Sequence, residues 1–323
     1  MPHGYNNGMM NENNSPKTLL EAVRHFSDLD VCHAYMVRIK WPDGQVCCPE
    51  CGCTDVGEIR SRRMFQCKTK TCRKQFSVKV GTIFEDSALG LDKWIVAVWC
   101  IVNAKNGISS CELARAVGVT QKSAWHMLHR IRLAMQTKSF RRITGEIESD
   151  ESAIGGKLSN MSGHRKSKAK KRYGRFGRKT LVHGLLERAG EIRAKVVPDS
   201  QRGTIEPIVR ENVQRWSTLY SDIGSAYFCG YYGYLHRMVN HSLRYVEGRV
   251  HTNGMENFWS LLKRCLHGTY IAVEPQHLQR YLDEQCRRFN MRKGTDASRF
   301  HAVMQDVVGR RLCYNDLISD SQQ

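Results

Sequence analysis

The pattern of hydrophobic and polar residues changes at Arg141. Ahead of it, apolar residues recur at helical spacing, first in the segment "TLLEAVRHF" (residues 18–26). The apolar residues of this segment are Leu19, Leu20, Val23 and Phe26. Their spacing predicts a short packed helix. From Arg141 onward, apolar and polar residues alternate, which predicts strands.

The segment "GISSCELARAVGVTQKSAWHMLHRIRLAM" (residues 107–135) predicts a helix-turn-helix. Ser109 and Glu112 have the spacing of a capping box. Gly118 ends the first helix and Thr120 caps the second. The second helix buries one apolar stripe, which consists of Ala124, Met127, Leu128, Ile131 and Met135. Its first turn and outer face are predicted to be free for DNA and hold Gln121, Lys122, Ser123, His126, His129 and Arg130.

This pattern leaves DNA reading open, because any helical hairpin has short turns and polar faces. In the DNA-reading arrangement, the start of the second helix enters the major groove. The high positive charge of the chain and the neighbouring cysteine-rich segment, both described below, favour that arrangement over a plain hairpin.

Alternating segments in the second half predict four blocks of strand structure: "ITGEIESDES" (143–152), "KTLVHGLLERAGEIRAKVV" (179–197, two strands turned at Ala189-Gly190), "STLYSD" (217–222) and "RMVNHSLRYV" (237–246). Helical spacing predicts two helices, "TIEPIVRENV" (204–213) and "HTNGMENFWSLLKR" (251–264). Three strands, a helix, a strand, then a strand and a helix is the order of a ribonuclease-H-like α/β domain.

The net charge adds a functional constraint. Lys and Arg number 50 against 31 Asp and Glu, which gives +19 at pH 7 and a pI near 9.5. Such an excess favours a polyanionic partner, most often nucleic acid. A lipid-surface protein is the competing interpretation, but the longest apolar run, "WIVAVWCIV" (94–102), is far below the roughly 20 residues that span a bilayer. The polar N-terminus has no secretory signal pattern, so we expect an intracellular, nucleoid-associated protein in the cytoplasm.

A basic segment lies between the first two predicted strands of the second half. "KLSNMSGHRKSKAKKRYGRFGRK" (157–179) is punctuated by Gly and Ser and has little apolar content. It predicts a solvated loop that becomes ordered on an anionic partner. Its candidate DNA-binding residues are Lys170, Lys171 and Arg172.

Seven of the thirteen cysteines lie between Cys32 and Cys72, which favours a metal site over disulfides in a reducing compartment. Cys48 and Cys51 form a C-x2-C pair, and Cys67 and Cys72 a C-x4-C pair. Four such thiolates can bind Zn²⁺ tetrahedrally. Cys47 and Cys53 are competing ligands, and free thiols in a small β unit are the alternative. The basic residues of this ribbon that are candidates for phosphate contact are Arg62, Arg63, Lys68, Lys70, Arg73 and Lys74.

Three carboxylates are candidates for a second metal site. Asp150 and Asp222 each end a predicted strand, and active-site groups of α/β sheets gather at strand ends. On the predicted helix 251–264, Glu256 and Lys263 share a stripe with Ser260 and His267. This stripe lies beside a buried one formed by Met255, Phe258, Trp259, Leu262 and Leu266. Converging carboxylates suit Mg²⁺ or Mn²⁺, although acids at strand ends are also common without a metal.

Several motifs form a recognisable set: "CPEC", "CKTKTCRKQFSVKVGTIF", "ESDESAIGGK", "LYSDIGSAY", "VNHS", "HTNGMENFWSLLKR" and "HLQRYLDEQCRRFN". The set resembles the bacterial insertion-sequence DDE transposases with an N-terminal zinc ribbon, the ISXO-like group. It spans about residues 26–290.

The resemblance implies a retroviral-integrase-like, ribonuclease-H-like catalytic domain in which two Asp and a Glu bind divalent metal. The matching positions are Asp150, Asp222 and Glu256, with Lys263 as the basic residue that follows. It implies binding of transposon ends, their cleavage, joining of the 3′-OH to target DNA, and action as a dimer or higher oligomer. A regulator that has lost catalysis and another nuclease of the same fold are the alternatives.

Asn253 is the alternative third ligand, and Glu256 is favoured because an anion suits Mg²⁺ better than an amide. Structural or supporting roles are predicted for other polar residues near these positions, namely Glu148, Glu151, Asp199 and His241. The predicted divisions are an N-terminal tail and helix (1–40), a zinc ribbon (41–84), a helix-turn-helix region (85–138), the catalytic domain (139–300) and a C-terminal tail (301–323).

Overall fold

The structure is a computed structural model that describes residues 15–137, 139–155, 163, 167, 179–222, 233–239 and 251–318; for Asp222 and Val239 it describes the backbone alone. The chain forms two compact units. The ribbon unit combines Met1–Gln136 with Lys293–Gln323, and the sheet unit is Thr137–Arg292. Of the helices in the described residues, none is both long enough and apolar enough to cross a membrane.

The ribbon unit begins with two helices and a small antiparallel sheet, followed by three more helices. Its elements up to residue 135 are α1 (Leu19–His25), α2 (Leu29–Lys40), β1 (Val56–Ile59), β2 (Met64–Cys67), β3 (Gln75–Ser77), α3 (Leu91–Asn103), α4 (Ser110–Val117) and α5 (Gln121–Met135). The sheet order is β1-β2-β3, with Phe65 opposite Phe76. Both phenylalanines enter the core, so aromatic packing supports the ribbon.

The two helices predicted within residues 107–135 are present as α4 and α5. Ser109 and Glu112 make both bonds of the capping box, Gly118 adopts the left-handed conformation (φ 63°), and the Thr120 side chain accepts from the backbone N–H of Ser123. All five apolar residues predicted for the inner stripe of α5 are buried. The caps and the stripe together confirm the local sequence prediction.

The packing predicted for the first helix is partly wrong. Phe26 is buried, but Leu19, Leu20 and Val23 are exposed, and Ala22 is the buried residue within α1. Helical spacing marks an apolar face, but a helix of seven residues buries only the part of that face that meets the core.

The C-terminal segment belongs to the ribbon unit, which differs from the predicted boundary at residue 300 and the predicted tail 301–323. It forms α9 (Asp296–Gln305) and α10 (Tyr314–Ile318). Its buried residues share the core of α1 to α5 and are Phe300, Val303, Met304 and Val307. The segment thus completes the N-terminal core, a long-range contact that local patterning does not reveal.

The sheet unit is a mixed α/β structure. Its elements are β4 (Glu146–Ile154), β5 (Thr180–Glu187), β6 (Ile192–Val197), α6 (Arg202–Asn212), β7 (Thr218–Asp222), β8 (Leu235–Val239), α7 (Asn253–Cys265) and α8 (Leu278–Asn290). The strand order is β6-β5-β4-β7-β8. β4 runs antiparallel to β5 and parallel to β7, which is parallel to β8. Every predicted strand and helix has a counterpart; the predicted strand 237–246 begins at Leu235, and its part beyond Val239 lies outside the described residues.

Helices cover both faces of this sheet. Val182 and Leu186 of β5 pack in one core with α7 and α8, whereas Leu185 packs in another core with α6. Alternate residues of a strand face opposite sides of a sheet, so Gly184 belongs to the α7 face. The five predicted apolar residues of α7 are all buried there. Therefore α7 packs on β5 and on β4, the strand that carries Asp150.

Candidate functional site

Four cysteine side chains of the ribbon converge on one point. The Sγ atoms of Cys48, Cys51, Cys67 and Cys72 all lie within 4.8 Å of one another. Cys48 and Cys72 are 3.7 Å apart, and Cys51 and Cys67 are 3.6 Å apart. Zn–S bonds of about 2.3 Å in a tetrahedron separate the sulfurs by about 3.8 Å, so the cluster fits Zn²⁺.

The two competing cysteines have other partners. Cys47 Sγ accepts a hydrogen bond from Trp41 Nε1, and Cys53 Sγ accepts one from the backbone N–H of Asp55. Within the cluster, a hydrogen bond from the Thr69 side chain lowers the pKa of Cys67 to about 7, whereas burial and hydrogen bonds with other cluster thiols raise the pKa of Cys51 and Cys72. A lower thiol pKa favours the thiolate, which is the form that binds metal.

Asp150 and Asp222 stand at the same level of neighbouring strands. β4 and β7 are parallel, and their last registered pair is Ser149 with Ser221. Asp150 and Asp222 each come one residue later, so their backbones follow this pair side by side. The Asp222 side chain lies outside what the structure describes. The register brings the two positions together, but only Asp222 ends its strand. The strand-end prediction is wrong for Asp150, because β4 continues to Ile154 by pairing with β5.

The third candidate, Glu256, lies in the first turns of α7. Its side chain is exposed, and so is that of Lys263 on the same stripe. Trp259, one turn after Glu256, donates from Nε1 to Oδ2 of Asp150 over 2.9 Å. This bond joins α7 to β4 at the first candidate carboxylate. Asn253, the alternative ligand, is the first residue of α7 and is also exposed.

Glu148, for which the sequence predicts a structural or supporting role, is a buried acceptor that joins β4 to the start of α7. Its carboxylate is 2% exposed and accepts from Arg188 Nε at 2.9 Å and from the backbone N–H of Met255 at 3.0 Å. His251 Nδ1 is 3.5 Å from Oε1. Glu148 and Asp150 lie two residues apart on one face of β4, a spacing that could have indicated their shared contact with a covering helix.

The serines of the register pair each contact a histidine on the opposite face of the sheet. Ser149 Oγ is 2.9 Å from His183 Nε2, and Ser221 Oγ is 2.8 Å from His236 Nε2. Burial lowers the pKa of His183 to about 4 and also lowers that of His236. Both imidazoles are therefore uncharged near neutral pH, on the face of the sheet opposite Asp150.

The predicted DNA-reading residues of α5 divide into two groups. Gln121 and Lys122 are exposed, and Ser123 is half-buried with its Oγ 2.9 Å from Thr120 Oγ1. Gln121 Nε2 donates to Ser110 Oγ, and Lys122 Nζ lies 5.1 Å from the ring centroid of Tyr314. The start of α5 thus presents polar groups at the surface, as a major-groove helix requires.

The outer face of α5 is not free further along, which corrects the prediction for three residues. Arg130 is buried and donates to the backbone carbonyls of Leu312, Ile83 and Glu85. His129 is fully buried. His126 is half-buried with its ring edge-on to Tyr314, and burial lowers its pKa. The C-terminal segment covers this part of the helix.

Among the other predicted DNA contacts, Arg62 ends a short 3-10 helix (Arg60–Arg62) and Arg63 follows it. Arg62 is exposed, and Arg63 is half-buried and ion-paired with Asp30. Lys170, Lys171 and Arg172, and the supporting candidate His241, lie outside the described residues. Asp199 accepts from Thr204 and from the backbone N–H of Gln201, so it supports the start of α6 as a structural residue.

Two family models match the chain. Residues 142–290 match the ISXO2-like transposase domain, and residues 28–75 match the transposase zinc-ribbon domain. The chain is 26% identical over 273 residues to "Uncharacterized protein in transposable element ISH50" of Halobacterium salinarum, which covers 80% of this chain and 88% of that protein. It is 35% identical over 96 residues to "Uncharacterized transposase-like protein" of Haemophilus influenzae, which covers 29% of this chain and 77% of that protein. No solved structure matches the chain at a significant level.

Proposed function

Because the chain belongs to the ISXO2-like transposase family, we propose that it is a DNA transposase that cuts transposon ends and joins them to target DNA. One observation above all supports this activity. Asp150 and Asp222 occupy neighbouring parallel strands, and Trp259 ties the helix that carries Glu256 to Asp150. The strand order, with the first strand of the unit at its centre, supports a ribonuclease-H-like fold.

Asp150, Asp222 and Glu256 would hold Mg²⁺ or Mn²⁺, because carboxylate oxygens are the ligands that these cations prefer. When bound, such a metal pair activates the attacking oxygen and stabilises the leaving oxygen in phosphoryl transfer. Trp259 holds Asp150 Oδ2, and the backbone N–H of Glu151 donates to Oδ1 over 2.8 Å, so two donors fix this carboxylate before DNA binds. Lys263 extends the same exposed stripe and would contact a phosphate oxygen of the substrate.

The two reactions use one site. In the first, water attacks phosphorus at the transposon end, the P–O bond to the 3′ oxygen breaks, and a 3′-OH is released. In the second, that 3′-OH attacks a phosphodiester of the target, a new P–O bond forms, and the target's own P–O bond to its 3′ oxygen breaks to leave a 3′-OH. Both are in-line displacements, and the same carboxylates serve both.

DNA is bound by the ribbon unit in this proposal. The first turn of α5, with Gln121, Lys122 and Ser123, would read bases in the major groove, and Arg62 would contact phosphate. Zinc in the four-cysteine cluster would stabilise the ribbon that presents this arginine. Cutting and joining two ends requires at least two active sites, so we propose a dimer or higher oligomer on DNA. A chromosomal substrate places the protein with the nucleoid in the cytoplasm.

The test is a nicking assay on plasmid DNA that contains the ends of the element, with Mg²⁺ or Mn²⁺. The wild type should nick at the ends and transfer them, and Asp150→Asn, Asp222→Asn and Glu256→Gln should each abolish both reactions. Glu211→Gln, at an exposed acid of α6, is the matched control and should be fully active. No nicking by the wild type with either metal would refute the proposal. Nicking without strand transfer would indicate a nuclease and not a transposase.

The same assay decides the third ligand. Asn253→Ala should retain nicking within a few fold, whereas Glu256→Gln should lose it. Loss of activity in Asn253→Ala together with an active Glu256→Gln variant would assign the ligand to Asn253.

A further inference from the structure

We propose that Glu148 is a positioning residue of this active site: its buried carboxylate holds the first turn of α7, and thereby Glu256, at the level of Asp150. The inference rests on the proposed function, because it concerns the same metal site. Glu148 itself does not coordinate metal in this scheme. It acts through the helix that it caps.

The start of α7 needs an acceptor, since the first N–H groups of a helix have no partner within it. Thr252 occupies the N-cap position, and in the described part of the chain its side chain makes no capping bond. The Glu148 carboxylate accepts instead from the backbone N–H of Met255, at the third position of the helix. A carboxylate at a helix N-terminus also interacts favourably with the helix dipole. Glu148 is therefore a cap supplied by a neighbouring strand.

The spacing of the two bonds to α7 matches the spacing of their acceptors. Glu148 and Asp150 are two residues apart, about 6.6 Å along a strand. The residues that donate to them are Met255, through its backbone N–H, and Trp259, through its side chain. These residues are four apart, about 6 Å along a helix. Glu256 lies between these two donors, so both bonds fix the turn that carries it. Losing the Glu148 bond would remove one of these two hydrogen bonds between α7 and β4.

Arg188 neutralises the buried charge of Glu148 and connects it to β7. Its Nε donates to Glu148, its Nη2 donates to the carbonyl of His251, and its guanidinium lies 4.1 Å from the ring centroid of Tyr220. Tyr220 is two residues before Asp222. A buried carboxylate is tolerated when it is paired and hydrogen-bonded in this way. The contacts of Arg188 thus join the strands of both aspartates to His251, two residues before α7 begins.

Gly254 allows the close approach of the helix to this carboxylate. A Cβ at this position would lie 2.8 Å from Glu148 Oε2 and 2.5 Å from Leu186 Cδ2. Any side chain there would force the Glu148 carboxylate, the Leu186 side chain or the start of α7 to shift. Gly254 and Glu148 therefore act together to position the start of α7.

The test measures Mn²⁺ binding to the full-length protein by electron paramagnetic resonance, with nicking as a second readout. Glu148→Ala should weaken Mn²⁺ binding by about 10-fold or more, as is typical when a partner of a metal-site residue is lost. Glu148→Gln keeps an acceptor for the Met255 N–H and should bind within about 3-fold of the wild type. If Glu148→Ala does not fold, Gly254→Ala must show the same weakening.

Glu187→Gln is the matched control, because Glu187 is an ion-paired acid of β5 that accepts from Arg141 and the backbone N–H of Thr144. It should lower the free energy of unfolding without changing Mn²⁺ binding. The positioning role would be overturned if folded Glu148→Ala bound Mn²⁺ as the wild type does, or if Glu187→Gln weakened Mn²⁺ binding equally. Neither result would contradict the proposed metal site. Absence of Mn²⁺ binding in the wild type would overturn the proposed metal site itself.

Discussion

Trp259 Nε1 donates a hydrogen bond to Asp150 Oδ2 over 2.9 Å, which links the buried stripe of α7 directly to the first candidate carboxylate. Apolar packing is not directional. A hydrogen bond to one atom of β4 adds a directional constraint on α7, together with the bond from Met255 to Glu148. The aromatic ring that anchors the helix in the core thereby also orients a metal ligand.

Trp259→Phe should keep the aromatic packing but remove the donor. A hydrogen bond to a charged group contributes about 1.5 to 3 kcal/mol, so we expect the free energy of unfolding to fall by about 2 kcal/mol. Nicking should fall by about 10- to 100-fold, because Asp150 loses its orientation. Urea denaturation and the nicking assay measure the two effects. Trp216→Phe, at an exposed tryptophan, should change neither, and full activity of Trp259→Phe would contradict the role of this bond.

Gly184 gives Trp259 the room to reach Asp150. It pairs with Asp150 across β4 and β5, and a Cβ there would lie 2.3 Å from Met255 Cε and 2.9 Å from Trp259 Cζ2. Gly184→Ala should therefore destabilise the fold by about 1 to 3 kcal/mol and reduce nicking. Gly203→Ala is the control, because nothing lies within 4 Å of its Cβ and alanine favours a helix. It should be neutral or stabilising in thermal denaturation, and an equal loss in both variants would argue against the clash.

Local signals in the sequence predict most of the fold. The capping box at Ser109, the break at Gly118 and the alternating strands depend on neighbours within a few residues, and the structure confirms them. The four-cysteine cluster follows from ligand spacing in the same way. The family motifs then suggest three candidate carboxylates, whereas the bond from Trp259 to Asp150 joins distant segments.

The errors arise where distant segments meet. Arg130 has the periodicity of an outward-facing residue, yet the carbonyl of Leu312 accepts from it across the core of the ribbon unit. Helical spacing cannot reveal that a segment about 180 residues later covers that face. The same applies to Glu148, whose partner Met255 lies on another element. Sequence patterns therefore find elements and ligand types more readily than the residues that position them.

The cysteine cluster should bind one zinc ion per chain. Cys48→Ser or Cys72→Ser should lose this zinc and unfold the ribbon, because structural zinc contributes directly to folding. Elemental analysis of the purified protein and its circular dichroism measure both effects. Cys47→Ser and Cys53→Ser are matched controls and should keep the metal, since their sulfurs bond to Trp41 and Asp55 instead. Zinc loss in either control would assign the ligands differently.

Lys122 and Arg130 should respond differently to substitution, although both are cations of α5. Lys122→Ala should weaken binding to DNA and reduce the salt dependence of binding by about one unit of slope, with little change in stability. Arg130→Ala should lower the free energy of unfolding by about 3 kcal/mol, because it leaves three backbone carbonyls without their donor. Fluorescence anisotropy at several salt concentrations and urea denaturation separate the two effects. If Arg130→Ala is stable and its DNA binding depends less on salt concentration, Arg130 contacts DNA after all.

His183 should make the sheet unit sensitive to acid. Burial lowers its pKa from 6.5 to about 4 in the folded chain, and Glu151 Oε1, 3.8 Å from its Nε2, does not offset that burial. The unfolded chain therefore binds the proton first as the pH falls, so stability present above pH 6.5 is lost progressively down to about pH 4. The loss from this group should be about 2 to 3 kcal/mol.

The measurement is the free energy of unfolding in urea at pH 7 and pH 4.5, with EDTA present, for the wild type and His183→Gln. Glutamine cannot take up the proton, so the variant should be less stable at pH 7 but lose less stability between the two pH values. His267→Gln, at an exposed histidine of the same unit, should keep the wild-type dependence. If His183→Gln retains the full acid sensitivity, another buried group, such as His236, is responsible, because burial lowers its pKa as well.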